Sequence, residues 1–268
     1  AVFPFYTWVP FLSSEAQPYV SGYMLGLLPM IVLLLALDFL NAFVWLRDFA
    51  PLMPVLRVTG LIMVVTAGVL SAFQQNLGRL FGYAVIFDNG FSLMALSLGY
   101  RVGYEILLMS FLPRMVGLGV FALSLTVLTK ERLTLSFDRL RDQLPRYPLA
   151  CGAVMAAYFS LGGLPLLASF PVRMALIGEL AGQSISGIAW LIAGMFGYLL
   201  GGFRTLSVLA GGKRSAWSIG EGTPQAFILA GGVVMLLLLG LFPNLFLPRM
   251  IGLLEAFTNL LETDFQFE

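Results

Sequence analysis

Histidine is absent from the 268 residues, cysteine occurs once, and charged side chains make up only 11% of the chain. Each shortage removes a class of function. Without an imidazole there is no histidine-ligated haem or zinc, and Cys151 alone cannot form an intrachain disulfide. No metal site, cofactor or catalytic centre of its own is therefore expected, and any redox centre has to belong to a partner. A net charge of +1 leaves no clustered basic surface of the kind nucleic acids require. No basic region precedes the opening apolar stretch, which Pro4 and Pro10 interrupt, so no signal peptide is expected. The chain reads as if entered part-way through.

What remains is apolar. The chain is 59% hydrophobic and far below the roughly 25% charge of a soluble domain, so it is read as a membrane protein embedded in the lipid bilayer. Residues 1–18 are rich in aromatics and proline, and Tyr6 and Trp8 suit an interfacial segment. From Ala16 to Leu37 no charge occurs, enough to cross a core about 30 Å thick. Pro29 interrupts that span, and Gly22 and Gly26 sit at the spacing that lets helices approach closely. Further spans are expected over 58–72, over 81–98 with Asp88 near the middle, and over a run opened by Arg101 and Glu105, bent by Pro113 and extending to Leu128. Others follow over 148–161, 164–180, 188–202 and 224–241, about eight in all.

Between the fourth and fifth spans lies the most densely charged stretch, residues 130–146. Leu133, Phe137, Leu140 and Leu144 recur on one helical face among Arg132, Asp138, Arg139, Arg141 and Asp142, which predicts an amphipathic helix on the membrane surface. The mixed charge signs favour a solvated face over a lipid-headgroup site. The tail after Pro243 is amphipathic and ends acidic.

The segment SLGGLPLLASFPVRM, residues 160–174, organises the functional reading. Gly162, Gly163, Pro165 and Pro171 break an apolar run that then carries Arg173. Freed backbone groups and a cation are tolerated inside hydrocarbon where protein or a wet cavity surrounds them, and broken helices of this kind build ion sites near mid-membrane.

That segment resembles the S-L-A-G-L-P-P-L-A-G-F-x-x-K pattern of the antiporter-like proton-translocating membrane subunits of respiratory complex I, the NADH-quinone oxidoreductase, shared with Mrp-type cation/proton antiporters and membrane-bound hydrogenases. Residues 72–90, AFQQNLGRLFGYAVIFDNG, and residues 1–21, AVFPFYTWVPFLSSEAQPYVS, resemble two further stretches of the same family in the same order. GGFRTL at 201–206 is a weaker match.

The resemblance implies an all-α, polytopic transmembrane bundle with discontinuous helices and an inverted-repeat architecture. It places this chain from about the seventh helix of a typical member onward. Residues 1–268 are then one transmembrane domain: 1–75 an interfacial segment and the end of the first repeat, 80–210 the second repeat, and 224–268 the last span and tail. The Pro29 segment becomes the broken helix of the first repeat and the Pro171 segment that of the second. The implied partners are other membrane subunits of a respiratory or hydrogenase-like complex, with quinone on a neighbouring subunit and the assembly in a bacterial inner membrane.

Family members are understood to pass protons along buried lysines, histidines and glutamates. Here Pro29 falls near an expected lysine, Asn76 replaces Asp, Gly78 replaces Lys, Asp88 stands at a usual histidine, and Arg173 replaces Lys. An arginine stays protonated, so a path has to rest on carboxylates and water. The candidate ion-pathway residues are Asp88, Arg173, Glu105, Arg114 and Asp38, and the candidate broken-helix residues are Pro29, Gly163, Pro165 and Pro171.

Each has a plainer reading. Asp88 suits a polar contact between helices, and Arg173 a bond to a carboxylate that holds the break together. Glu105 suits a local pair with Arg101. Arg114 suits carbonyls freed by Pro113, and Asp38, Arg204 and Glu179 suit interfacial positions. Cys151 reads as a small buried hydrophobe. Two other functions stay open, a non-conducting structural or assembly subunit of the same fold and an unrelated secondary transporter.

Overall fold

A computed structural model describes residues 2–246, except 48, 131–134, 142 and 212–219, together with 248 and 252. Among them the chain is helical throughout, with one isolated bridge between Asn76 and Ser136. The elements are α1 (Trp8–Glu15), α2 (Pro18–Ala42), α3 (Val44–Arg47), α4 (Leu52–Phe73), α5 (Leu77–Leu96), α6 (Tyr100–Thr129), α7 (Phe137–Leu140), α8 (Pro148–Gly162), α9 (Phe170–Ala181), α10 (Ile185–Ala210) and α11 (Thr223–Leu241).

Five helices, α2, α4, α6, α10 and α11, are long and apolar enough to cross a membrane. This is an integral, multi-pass membrane protein. α5 has 20 residues and is buried along nearly its whole length, so it forms the centre of the bundle. α8 and α9 have 15 and 12 residues, and neither reaches the about 20 a full crossing needs. Residues 163–169 separate them, where the residue pattern predicts two spans.

The proline at 29 does not break its helix. α2 runs unbroken through it for 25 residues, contrary to the expectation of a discontinuity there. A proline removes one N–H and crowds one carbonyl, which a long helix survives; α6 likewise runs through Pro113. The second break is built differently. Gly163 takes a left-handed conformation at φ 77°, and its N–H returns to Ser160 while that of Leu164 returns to Phe159 at 3.0 Å. That double return satisfies the last carbonyls of α8 and turns the chain out of the helix. Leu166 also has a positive φ of 74°. The break therefore spans residues 163–169, and Pro171 lies in the first turn of α9, where its missing N–H is harmless.

The surface helix expected over 130–146 is replaced by a tighter arrangement. Residues 131–134 and 142 lie outside the described residues, but Ser136 is extended and bridged to Asn76. The N–H of Leu77 bonds the Leu135 carbonyl at 2.9 Å, and the N–H of Phe137 bonds that of Gln75 at 2.8 Å. Among the described residues of 131–146 only the single turn α7 is helical, and Leu135, Phe137 and Leu140 are buried. The apolar residues face protein, because neighbouring backbone groups offered these amides partners that a surface helix would have supplied internally.

At the opening, α1 packs against α5. Tyr6 is buried and bonds Thr66 at 2.8 Å, whereas Trp8 is exposed. Asn76 caps α5, its side chain accepting from Gly78 and Arg79 at 2.8 and 3.1 Å. Glu221 accepts from Leu149 and Ala150 at 2.8 and 3.2 Å and so closes the start of α8. The Gly22 and Gly26 spacing does bring α2 onto α6, where a Cβ at Gly22 would lie 2.3 Å from that of Ala122.

α4 and α10 approach closely, and a Cβ on Gly68 would run into the Gly194 carbonyl oxygen. Backbone on both sides leaves nothing to give way. Gly68→Val should therefore destabilise by about 3 kcal/mol or more, beyond ordinary core overpacking. Gly119→Ala, with open space around that position, should be neutral or stabilise by about 0.5–1 kcal/mol. Thermal melts of the purified variants in detergent check the contrast, and equal melting of the two would contradict this packing.

Candidate functional site: a buried carboxylate between two arginines

Asp88 on α5, Arg114 on α6 and Arg173 on α9 meet inside the bundle. The Asp88 side chain is 7% exposed, that of Arg114 0% and that of Arg173 4%, so all three are out of reach of bulk water. Arg173 Nη2 donates to Asp88 Oδ1 at 2.8 Å, and Arg114 Nη1 lies 3.1 Å from Oδ2. The second contact is an ion contact without hydrogen-bond alignment. Arg114 is held further on α5, donating to Ser92 Oγ at 3.3 Å and, through a short bond, to Asn89 Oδ1, while its Nε is buried without a partner. The Arg173 guanidinium lies 3.7 Å from the Phe91 ring centre and 5.3 Å from that of Phe87. An aromatic face is a favourable seat for a desolvated cation.

The local sequence explains why these groups face one another. Asp88 and Ser92 are one turn apart on α5, so both point toward α6. Arg114 sits within α6 just past Pro113, and its partners prove to be side chains of α5 rather than carbonyls freed by the proline. Arg173 lies in the first turn of α9, and a Cβ on Gly163 would be 2.8 Å from its Cδ. Gly163 is thus required twice, for its positive φ and for the passage of the arginine stem.

The rings continue the cluster outward. Phe87 stacks on Tyr198 at 4.2 Å, and Tyr198 stacks on Tyr158 at 4.1 Å, while the Tyr158 hydroxyl donates to the Tyr198 carbonyl at 2.8 Å. A cavity of about 20 Å³ adjoins the charges, bounded by Asp88, Ser92, Ser110, Ser169 and Arg173 among others. That is room for about one water-sized particle.

Of the candidate residues, the structure brings together Asp88, Arg114 and Arg173. Glu105 is half-buried on α6 and Asp38 is exposed on α2, both outside the cluster, and Glu179 is exposed. The side chain of Arg101 lies outside the described residues. Arg204 donates to the Ala72 carbonyl at 3.0 Å, and Cys151 is buried. Asn89, Ser92, Phe87 and Phe91 belong to the site without having been singled out. The pair Asp88-Asn89 inside an apolar span was a legible signal for the first; nothing marked the two rings.

A discontinuity that sets a buried cation against a carboxylate inside a helical bundle defines a class of integral, multi-pass membrane proteins with interrupted spans. Within that class the chain belongs to the family described as NADH:quinone oxidoreductase/Mrp antiporter, transmembrane, which residues 1–201 match. It is 28% identical over 256 residues to NADH-quinone oxidoreductase subunit N 2 of Solidesulfovibrio magneticus, covering 91% of this chain and 52% of that protein. Subunit N of Thioalkalivibrio sulfidiphilus is 23% identical over 261 residues, with 93% and 52% covered. The chain spans about half the length of the curated relatives it matches.

Two solved structures share the fold. A chain of the membrane-bound sulfane sulfur reductase, an archaeal respiratory membrane complex, superposes with a TM-score of 0.86 at 19% identity, covering 94% of this chain and 52% of that one. A chain of respiratory complex I from Thermus thermophilus gives 0.78 at 19% identity, covering 97% and 56%.

Removing the carboxylate would leave two buried guanidiniums facing each other. Asp88→Asn should destabilise the protein by about 3–5 kcal/mol. Adding Arg173→Met to that variant should recover part of the loss. Melting of the single and double variants tests this, and a single variant as stable as the parent would show that the pair is not in place.

Proposed function

We propose that the chain is part of an antiporter-like membrane subunit of a complex I-like NADH:quinone oxidoreductase or related redox-driven complex, and that it contributes to proton translocation across a bacterial inner membrane. Its partners are the other membrane subunits of that complex, and quinone binds on one of them. Residues 80–210, which carry α5, α6 and the broken α8–α9 element, act as its ion-handling repeat. The observation that carries the reading is the buried Asp88–Arg173 pair beside the break, adjoining a water-sized cavity. Family membership supports it.

The charges favour protons over sodium. Asp88 is the one carboxylate in contact with both arginines, so a sodium ion there would face a net positive surround. A proton can instead reach the site along water and side-chain oxygens.

A second reading, a non-conducting structural subunit of the same fold, is favoured by the arginines themselves, which cannot release a proton. Asp88→Glu separates the two. It keeps the charge and moves the carboxylate by one methylene, so the intact complex in sealed vesicles should pump fewer protons per electron while assembling normally. An unchanged ratio would remove Asp88 from the path and leave the structural reading.

A further inference from the structure

We propose that the cavity between α5, α6 and the start of α9 is a binding site for one monatomic anion of the chloride class. The argument begins with charge. Two guanidiniums share one carboxylate whose two oxygens they already occupy, which leaves a buried surplus of one positive charge. Water can solvate such a surplus but cannot neutralise it, and buried unpaired charge is among the least favourable states a fold can hold.

The donors are in place on the cavity wall. Arg173 lines it, and its Nε is buried without a hydrogen-bond partner. In the first turn of α9, Phe170 and Arg173 return their N–H groups to Leu167 and Ser169, each at 3.0 Å, and Pro171 has none. The amide of Val172, which also lines the cavity, is the donor left over. Ser169, at the head of that 12-residue helix, adds a hydroxyl, and the helix dipole adds positive potential.

Size then selects the ligand. About 20 Å³ admits a single small particle and excludes a carboxylate side chain, a phosphate or a sulfate. The site needs neither ion pumping nor a redox partner, so it stands or falls apart from the proposed function.

The test uses the protein in the assembly with which it purifies, exchanged into sodium chloride, sodium bromide or sodium gluconate at equal ionic strength. Chloride and bromide should raise Tm over gluconate by about 3–6 °C at a concentration roughly tenfold above Kd. Ala95 of α5 lines the cavity, and Ala95→Val, which fills it and leaves all three charges in place, should abolish that difference. Equal melting in halide and gluconate, or a halide effect that survives Ala95→Val, would overturn the proposal. Should that variant fail to fold, bromide-soaked crystals of the parent protein decide the matter: an anomalous peak beside Arg173 and Val172 supports the site, and its absence from the cavity overturns it.

Discussion

One carboxylate held between two guanidiniums, away from bulk water, sets the terms for the rest of the bundle. Desolvating three ions costs several kcal/mol each, and only close geometry with further hydrogen bonds offsets it. The surroundings of the cluster answer part of that demand: Asn89 and Ser92 accept from Arg114, and the face of Phe91 receives Arg173. Lipid is as apolar as a leucine face, so apolar packing alone does little to fix how α5, α6 and α9 are rotated about their axes. Charge pairing does. Any rotation that parted Asp88 from Arg114 or Arg173 would leave an uncompensated ion in a medium that cannot solvate it.

The broken helix follows from the same requirement. Arg173 meets Asp88 from the first turn of α9, so that helix has to begin inside the bundle rather than at its surface. Gly163 ends α8 with its backbone groups satisfied and, lacking a Cβ, leaves room for the arginine stem. The stacked rings of Phe87, Tyr198 and Tyr158 then tie α5, α10 and α8 together, so the half-helix before the break is held to the helix that carries the carboxylate. At its other end Glu221 engages the first amides of α8. Of these two short helices, the first is in this way fixed at both ends and the second at its start.

Much of this was legible in the residues. Composition gave a helical membrane protein, and three motifs in order gave the family, because lipid leaves a chain few options and the 160–174 segment is distinctive. Asp88, Arg114 and Arg173 stood out as ions in apolar runs, and burial makes such ions seek one another. What failed had physical causes. Pro29 and the 163–169 segment look alike in a search for prolines, yet only the latter has a glycine placed to take a positive φ. The apolar stripe of 130–146 has helical period, but Leu135 and Phe137 found backbone partners beside α5, a long-range outcome that periodicity cannot see. Phe91 is one phenylalanine among 23, and only coordinates show which ring lies under the cation.

Arginine in place of lysine changes what the centre of such a protein can do. A lysine may hand on its own proton, whereas a guanidinium supplies a fixed field and directional donors. Both oxygens of Asp88 lie against guanidiniums, so opening the cluster means moving one of the two arms. The two differ in their freedom to move. Arg114 is fully buried and is also bound to Asn89 and Ser92, while Arg173 borders the cavity and rests on a ring that permits sliding. Arg173 is thus the arm whose displacement breaks fewer contacts, and the discontinuity at 163–169, besides freeing carbonyls, separates the helix that carries it from α8.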